Sequence, residues 1–269
     1  MTPDRLIISL FPGIDLLGRP FEEAGFCVVR GPDLIYGSDI RSFNVPAGCF
    51  FGVIGGAPCQ EFSGLNRQEP TGYGDDMVDE YRRVVVQARP DWWLFENVPR
   101  SPDVRIDGYS WQRFSLDLGW FSDSGRLRHF QFGSARGVRL DPPIGTRRPG
   151  LRPAALASDD RSFAELLHCQ GLPRDFELPS FTVEGKKRAV GNGVPLPLGR
   201  VLARLINRHV YGVTEPAENS VTELGALSVT AQGAEPVTCA CGCGRSCIGR
   251  ARYAGAACRK RAQRSRISV

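Results

Sequence analysis

Short apolar runs separated by turn residues dominate the first half of the chain. The run over residues 6–11 stops at Pro12-Gly13, and the run over residues 50–54 stops at Gly55-Gly56. A short apolar run that ends in glycine or proline is typical of a buried strand followed by a turn. The same pattern predicts further strands at residues 26–30, 92–95 and 128–132.

Helical patterns occupy other parts of the chain. Residues 76–89 have helical character, and residues 195–210 form an amphipathic pattern that starts after two prolines. Strands that alternate with helices predict an α/β fold with a parallel sheet. Ligands of such sheets bind at the carboxyl ends of the strands, so we expect the functional residues in the polar loops that follow them.

The length and composition indicate one globular domain with an appendage. The chain has 269 residues, of which 42% are hydrophobic and 23% charged. No apolar run reaches the roughly 18 residues of a membrane span. We predict a main domain over 1–211, a linker over 212–238 and a separate module over 239–269. The N-terminus has no signal-peptide pattern, so we expect a cytoplasmic protein with reduced thiols.

The predicted C-terminal module combines cysteines with positive charge. Residues 239–269 hold five of the nine cysteines and eight of the 34 basic residues but no acidic residue, while the rest has 26 basic and 29 acidic residues. Such a tail suits a polyanion, although a solvated basic tail is the alternative. Four thiolates near one point can bind Zn²⁺. We therefore predict a structural zinc site, with a disordered thiol-rich tail as the other interpretation; the chosen ligands are Cys239, Cys241, Cys243 and Cys258, with Cys247 as substitute.

Two strand ends carry residues suited to attack on an electron-poor ring. Cys59 lies in a turn bracketed by Gly55-Gly56 and Pro58, directly after a predicted strand. A cysteine attacks as the thiolate, and backbone N–H groups or nearby cations lower its pKa. Glu96 ends the next predicted strand, where an apolar environment would raise its pKa and make it a proton donor. Each feature alone is typical of ordinary structure, whereas the pair indicates a nucleophile with an acid.

The motifs together resemble the cytosine-5 DNA methyltransferase family over about residues 6–133 and 160–208. The most specific elements are the Pro-Cys-Gln element at 57–63 and the Glu-Asn-Val element at 96–98. Other segments resemble further family motifs in the right order, which is not expected by chance: Leu10-Phe11-Pro12-Gly13, Asp33, Ser38-Asp39-Ile40, Arg126-Leu127-Arg128, Gln170-Gly171-Leu172-Pro173 and Gly191-Asn192-Gly193-Val194-Pro195.

The resemblance implies a fold, a methyl donor and a set of roles. It implies a Rossmann-like methyltransferase sheet that uses S-adenosylmethionine as cofactor and double-stranded DNA as partner. Cys59 would add to carbon-6 of an extruded cytosine, Glu96 would protonate or hydrogen-bond N-3, and carbon-5 would take the methyl group. Arg128, with Arg126, would bind the cytosine carbonyl and a nearby phosphate, and Asn97 would shape the pocket. The donor pocket would be formed by Phe11, Gly13, Asp33, Asp39, Pro58, Asn192 and Val194.

The chain departs from the family pattern in three places. The donor loop has Ile14, Asp15 and Leu16 where further glycines are usual, and Asp15 is expected to crowd the donor or repel its carboxylate. Ser124 stands where a glutamine is usual. Only residues 134–169 are available for the target-recognition region, so the chain resembles a short, phage- or prophage-like form whose sequence reading is weak or supplied elsewhere.

Two other functions fit part of the pattern. One is an RNA cytosine-5 methyltransferase, although the branch that acts on tRNA has a nucleophile motif different from Pro58-Cys59-Gln60. The other is a catalytically degenerate nucleic-acid-binding protein, favoured by Asp15 and the short recognition region. The expected setting is a bacterial or phage-infected cell. The target sequence, the oligomeric state and the role in restriction–modification, as an orphan enzyme or in phage protection stay open.

Overall fold

A six-stranded sheet forms the centre of the protein. The computed structural model describes residues 5–64 and 69–213, and residues 237–238 and 246–247 by their backbone alone. The strands of the sheet are β1 Leu6–Leu10, β2 Cys27–Arg30, β3 Gly52–Gly55, β4 Trp92–Asn97, β5 Ser110–Asp117 and β6 Leu127–Ser134. Their order across the sheet is β2-β1-β3-β4-β6-β5.

The sheet is parallel except at one strand. Strands β1 to β4 run parallel, and β6 is antiparallel to both of its neighbours. The predicted α/β sheet is confirmed, but the strand predicted at 128–132 is the reversed one. Strand β5 was not predicted, because polar side chains interrupt its apolar pattern. One of them, Gln112, is buried and bonds the backbone N–H and C=O of Leu140 at 3.0 and 3.1 Å.

Helices cover both faces of the sheet, and the two that the sequence predicted are α2 and α5. Two shorter helices start at side-chain caps, which satisfy backbone N–H groups that have no partner within a helix. Ser162 and Glu165 form a capping box at α3, and Thr182 caps α4. The helices are α1 Gly18–Glu23, α2 Tyr73–Ala88, α3 Phe163–Gln170, α4 Val183–Asn192 and α5 Leu196–Tyr211.

Successive residues of β4 point to opposite faces of the sheet and contribute to two separate cores. Trp92 and Leu94 pack with α1 and α5 on one face, whereas Trp93 and Phe95 pack with α2 on the other. A third apolar cluster joins α3 and α4 to the loop after β1, where Leu16 contributes. This third cluster fixes the helical segment against the end of β1.

The strand order changes direction at β1. Strand β2 lies on one side of β1 and β3 on the other, so the loops that follow β1 and β3 leave the same edge of the sheet in different directions. Such a switch point opens a crevice at the carboxyl ends of the strands, which is where ligands bind in open α/β sheets.

The chain divides into two compact units, Met1–Gly225 and Ala226–Val269. In the second unit the structure describes an antiparallel pair, β7 Val237–Thr238 with β8 Ser246–Cys247. Within the described parts of the chain, no helix is long and apolar enough to cross a membrane. The predicted zinc ligands Cys239, Cys241, Cys243 and Cys258, and the side chain of Cys247, lie outside the described residues.

Candidate active site

A cleft of about 1340 Å³ opens at the carboxyl ends of the four parallel strands. It lies at the switch point between β1 and β3, where the fold predicts a ligand. Every donor-pocket residue predicted from the sequence lines this cleft, together with the predicted nucleophile and acid: Phe11, Gly13, Asp33, Asp39, Pro58, Cys59, Glu96, Asn192 and Val194.

The loop after β1 is held by the acid that follows β2. The Gly13 N–H donates to Asp33 Oδ2 at 2.8 Å, and Asp33 Oδ1 accepts from the N–H of Ile35 at 2.9 Å. Gly13 has a φ of 54°, a conformation that glycine adopts without a steric cost. One carboxylate therefore sets the distance between two loops of the cleft.

Asp15 points away from the cleft, so the expectation that it would repel a donor is wrong. Its side chain is fully buried and accepts hydrogen bonds from Ser9 Oγ at 2.9 Å, the Gly18 N–H at 3.1 Å and Arg30 Nε at 3.1 Å. A Cβ at Gly18 would lie 2.4 Å from the Asp15 carboxylate, which explains the glycine there. Asp15 is a structural support beneath the loop.

The segment between α4 and α5 closes another side of the cleft. Gln170 donates through Nε2 to the carbonyl of Gly193 at 2.9 Å and also to the carbonyl of Val190. A Cβ at Gly193 would lie 2.5 Å from Leu16 Cδ1, so the glycine lets this segment approach the loop after β1. These bonds place Asn192 and Val194 beside Gly13 in the cleft wall.

The loop that carries Cys59 is bound to the end of β4. Asn97 is buried and donates through Nδ2 to the carbonyl of Ala57 at 3.2 Å. A Cβ at Gly56 would lie 2.8 Å from Glu96 Oε2. Because Gly56 has no side chain, the loop can approach the acid closely, and Cys59 and Glu96 share one region of the cleft.

Glu96 is paired with Arg128 in a largely buried position. Arg128 Nε lies 2.8 Å from Glu96 Oε1, and the two side chains are 16% and 14% exposed. Burial raises the pKa of Glu96 above its ordinary value, and the charges of Arg128 and Arg126 oppose this rise without cancelling it. A carboxyl group in this state holds a proton more readily than an exposed one does.

Burial also raises the pKa of the Cys59 thiol. The negative charge of Glu96 adds to the increase, whereas Arg128 and Arg126 lower the pKa. The resting cysteine is therefore favoured as the neutral thiol. Any step that neutralises Glu96 leaves the two arginines to stabilise the thiolate.

Arg126 occupies a different environment from Arg128, although both belong to one motif. It is buried and donates to the carbonyls of Ala155 and of Gly191, the latter at 2.7 Å. Burial lowers its pKa to about 9, so it keeps its charge at neutral pH. Arg126 thus joins the chain after β6 to the end of α4 and adds positive potential to the site.

Comparison with known proteins connects this geometry to a family. A family model described as C-5 cytosine-specific DNA methylase matches residues 36–103, which include Cys59 and Glu96. The chain is 28% identical over 194 residues to Type II methyltransferase M.AgeI of Thalassovita gelatinovora, covering 58% of this chain and 45% of that protein. The chain is therefore similar to cytosine-5 DNA methyltransferases over the segment that carries Cys59 and Glu96.

A second relative has a similar name. The chain is 29% identical over 116 residues to Type II methyltransferase M.XorII of Xanthomonas oryzae pv. oryzae, covering 34% of this chain and 27% of that protein. The chain thus spans less than half the length of both curated relatives. What those proteins do as a whole therefore does not transfer directly to this chain.

Solved methyltransferase structures share the fold at low sequence identity. A methyltransferase of Entamoeba histolytica superposes with a TM-score of 0.58 at 10% identity, covering 75% of this chain and 97% of that one. A putative DNA modification methyltransferase encoded within a prophage of E. coli gives 0.55 at 14% identity, covering 77% and 99%. The Dnmt2 methyltransferase of S. pombe gives 0.55 at 11%, covering 75% and 98%. At these identities the likeness shows the methyltransferase fold alone.

Sequence reasoning assigned no role to three residues of the cleft. Leu34 and Ile35 line the cleft and are 62% and 50% exposed; their position directly after Asp33 is the signal that marks them. Glu61 accepts from the N–H groups of Thr71 and Gly74, each at 2.7 Å. It connects the cysteine loop to the start of α2, an anchoring that its place two residues after Cys59 did not reveal.

Proposed function

We propose that this protein transfers a methyl group from S-adenosylmethionine to carbon-5 of cytosine in double-stranded DNA, through a covalent bond between Cys59 and the base. The observation that carries the proposal is that Cys59 and Glu96 line one cleft and that Arg128 is paired with Glu96. A buried thiol, a carboxyl group with a raised pKa and a cation bonded to that carboxyl group are the set that activates a cytosine ring.

The other residues of the cleft suit the donor. The exposed apolar side chains of Leu34 and Ile35 offer a surface that an adenine ring would cover. Each Asp33 oxygen accepts one backbone N–H, and a carboxylate has further lone pairs for ribose hydroxyl groups. Asp39 also lines the cleft, and its carboxylate would accept a hydrogen bond from the adenine amino group. When bound, S-adenosylmethionine would supply an electrophilic methyl group on its sulfonium.

Glu96 and Cys59 act together in the proposed reaction. Cytosine N-3 lies against the Glu96 carboxyl group and either takes its proton or accepts a hydrogen bond from it. The Cys59 proton leaves to solvent, and the thiolate forms a bond to carbon-6. The proton on N-3 balances the negative charge that Glu96 gains, while Arg128 and Arg126 favour the thiolate. The addition makes carbon-5 electron-rich enough to accept a methyl group, whose bond to the donor sulfur would break and leave a neutral thioether.

The cycle closes by elimination. A base removes the proton of carbon-5, the bond between Cys59 and carbon-6 breaks, and N-3 returns its proton to Glu96. The target base has to leave the helix for these steps, at a cost of about a few kcal/mol. Asn97 is a positioning residue in this scheme, because it holds the cysteine loop through the carbonyl of Ala57.

Two observations favour DNA methylation over the alternatives. The matching family model is that of a DNA methylase, and the curated relatives are named as Type II methyltransferases. Likeness to Dnmt2 structures rests on fold alone and does not favour RNA. A degenerate, non-catalytic protein was suggested by Asp15, and that objection loses its force because Asp15 lies buried under the loop.

The C-terminal module belongs to the same proposal. We propose that Cys239, Cys241, Cys243 and Cys258 bind one structural Zn²⁺ and present the basic residues after Cys258 to the DNA. Thiolates are the ligands that structural zinc prefers. A module this short has too small a hydrophobic core to fold without a structural metal ion.

Transfer of tritium from S-[methyl-³H]adenosylmethionine to duplex DNA tests the proposed function. Cytosine-containing duplex DNA should be labelled and RNA of the same sequence should not. Duplex DNA that contains 5-fluorocytosine should remain covalently attached to the protein, because fluorine cannot leave as the carbon-5 proton does. Labelling of RNA in preference to DNA, or donor binding with no transfer to either, would reject the proposal.

A further inference from the structure

A second, smaller pocket opens beside the active site and is lined by arginines. It has a volume of about 470 Å³, and no acidic residue is among the residues that line it. Arg128 belongs to this pocket and also pairs with Glu96, so the pocket begins where the active site ends. Its other arginines come from the residue before β6 and from the segment after that strand: Arg126, Arg147, Arg148 and Arg152.

Acidic neighbours neutralise these arginines only in part. Ion pairs join Arg128 to Glu96 at 2.8 Å, Arg147 to Asp117 at 3.0 Å and Arg152 to Asp123 at 3.0 Å. Five guanidinium groups thus face three carboxylates, which leaves a surplus of two positive charges.

Arg126 and Arg148 supply the unbalanced charge. Arg126 bonds only carbonyl oxygens through its terminal nitrogens, and its buried Nε has no hydrogen-bond partner in the described part of the chain. Arg148 is exposed and forms no salt bridge within residues 5–64 and 69–213. A buried donor without a partner and an unpaired cation at one pocket are features that an anion would satisfy.

The segment that carries the outer arginines is held in place. The Gly125 N–H donates to the carbonyl of Arg152 at 2.9 Å, and the Arg152 N–H donates to the carbonyl of Asp123 at 2.8 Å. Leu151 packs over Gly119, where a Cβ would lie 2.4 Å from the leucine. The backbone at Leu151 and Arg152 is therefore fixed, which lowers the entropy lost when Arg152 binds a ligand.

We infer that this pocket binds a backbone phosphate of the DNA strand beside the extruded cytosine. Guanidinium groups match phosphate oxygens in geometry and charge, and one sugar separates a base from its phosphate. A base held at Glu96 and Arg128 brings its backbone to the adjoining pocket. The segment Arg147–Arg152 lies in the short stretch that is available for a target-recognition region, and there it holds the strand by its phosphate. This inference rests on the proposed function.

Phosphate binding positions DNA without reading its sequence. It also makes the affinity for DNA depend on the salt concentration, and this dependence can be measured. Arg148→Glu in the full chain should weaken binding of a fluorescent duplex by about tenfold or more at low salt. It should also reduce the slope of log affinity against log salt by about 0.9 for each phosphate that is no longer bound. Arg148 has no ion pair to lose in the described region, so the melting temperature should stay close to that of the unchanged protein.

Arg208→Glu is the matched control. Arg208 is exposed in the last turn of α5, and that helix ends where Tyr211 bonds Trp92 at the amino end of β4. It therefore lies at the opposite edge of the sheet from the cleft and should leave the salt slope unchanged. Donor binding, measured by calorimetry, should be the same in both variants.

The outcomes separate the pocket from the proposed function. Equal salt slopes for Arg148→Glu and Arg208→Glu, in a protein that still methylates duplex DNA, would overturn the phosphate pocket alone. An unchanged protein that binds no duplex DNA and transfers no methyl group to it would overturn the proposed function. A slope that changes for RNA but not for DNA would overturn the pocket as a site for the DNA strand.

Discussion

The donor side of the cleft and the arginine pocket are built on different physical principles. On the donor side, two carboxylates fix the loops by accepting hydrogen bonds from backbone N–H groups, Asp33 from Gly13 and the buried Asp15 from Gly18. The arginine pocket is held by backbone bonds at its base, while ion pairs orient its half-exposed side chains, as at Arg147 and Arg152. The first region thus depends on the fixed positions of its loops, and the second depends on the positive charge of its side chains.

This difference predicts how each region responds to a perturbation. A buried hydrogen bond is insensitive to salt, and its loss costs stability because a polar group is left unsatisfied. Exposed ion pairs contribute little to stability and are screened by salt. Changes on the donor side should therefore appear in melting temperature and donor affinity, and changes at the arginine pocket in the salt dependence of DNA binding.

Cys59→Ser should have the largest effect on activity and should leave both regions intact. The change removes the nucleophile but little volume, so methyl transfer should fall by about four orders of magnitude or more. Donor affinity and the salt slope of DNA binding should match those of the unchanged protein. A tritium transfer assay with parallel binding measurements checks this, and ordinary turnover by the variant would contradict the mechanism.

Glu96→Gln should come next and should affect transfer and thiol chemistry in opposite directions. Loss of the general acid should slow transfer by about 100- to 10,000-fold. The same change removes the negative charge that raises the pKa of Cys59, while Arg128 and Arg126 remain. The pKa of Cys59 should therefore fall, and iodoacetamide should alkylate it faster at a given pH below that pKa.

Cys59→Ser protein provides the control for alkylation of the other cysteines. Rates are compared over a pH series, and the midpoint of the Cys59 reaction should lie at lower pH in Glu96→Gln than in the unchanged protein. A midpoint that stays in place or moves to higher pH would show that Glu96 does not act on the charge of the thiol.

The contrast between the two regions also explains what could be predicted from the sequence. The donor loops follow strands that end in Gly13 and Gly55-Gly56, and these local turn signals placed Phe11, Cys59 and their neighbours at one edge of the sheet. The direction of Asp15 could not be predicted, because it depends on Arg30 of another strand. A local pattern predicts where a loop lies, but not which way a polar side chain in it points.

The arginine pocket depends on bonds between distant parts of the chain. Arg147 and Arg152 meet Arg126 only because the segment after β6 returns to the Ser124–Gly125 turn. That return follows from backbone bonds that have no residue-type signature. Strand β5 was missed for a related reason, since the buried side chain of Gln112 is satisfied by a hydrogen bond to Leu140, far along the chain. Sequence analysis therefore treated residues 134–169 as too short for a recognition region and predicted no site there.

Asp15→Ala tests the donor side directly. Ser9 and the Gly18 N–H would lose a buried acceptor, so the free energy of unfolding should fall by about 2–3 kcal/mol. Donor affinity should fall with it, because the loop rests on this carboxylate. Asp15→Asn keeps the acceptor for Ser9 and the Gly18 N–H and loses the pair with the half-exposed Arg30, so it should cost less than Asp15→Ala.

Chemical denaturation and calorimetry with the donor measure both effects of the Asp15 substitutions. The salt slope of DNA binding should be the same in both variants as in the unchanged protein. If Asp15→Ala changed that slope while donor binding stayed normal, the proposed difference between the donor side of the cleft and the arginine pocket would be wrong.

Deletion of residues 226–269 should have the smallest effect on the catalytic cleft and extends the comparison to the C-terminal module. The second unit begins at Ala226, and residues 239–269 carry eight basic residues and no acidic one, whereas the rest of the chain is slightly acidic. The deletion should weaken binding to duplex DNA by about tenfold at low salt and flatten the salt slope, since each phosphate that is no longer bound removes about 0.9 from it. Donor binding and melting temperature should not change.

A full-length protein with Cys239→Ser and Cys258→Ser separates charge from fold, because it keeps every basic residue but loses two predicted zinc ligands. If zinc orders the module, metal analysis should find one zinc per unchanged chain, and the double variant should bind DNA almost as weakly as the deletion. Equal salt slopes with and without residues 226–269, or an unchanged protein free of zinc, would leave the arginine pocket as the element that holds the DNA.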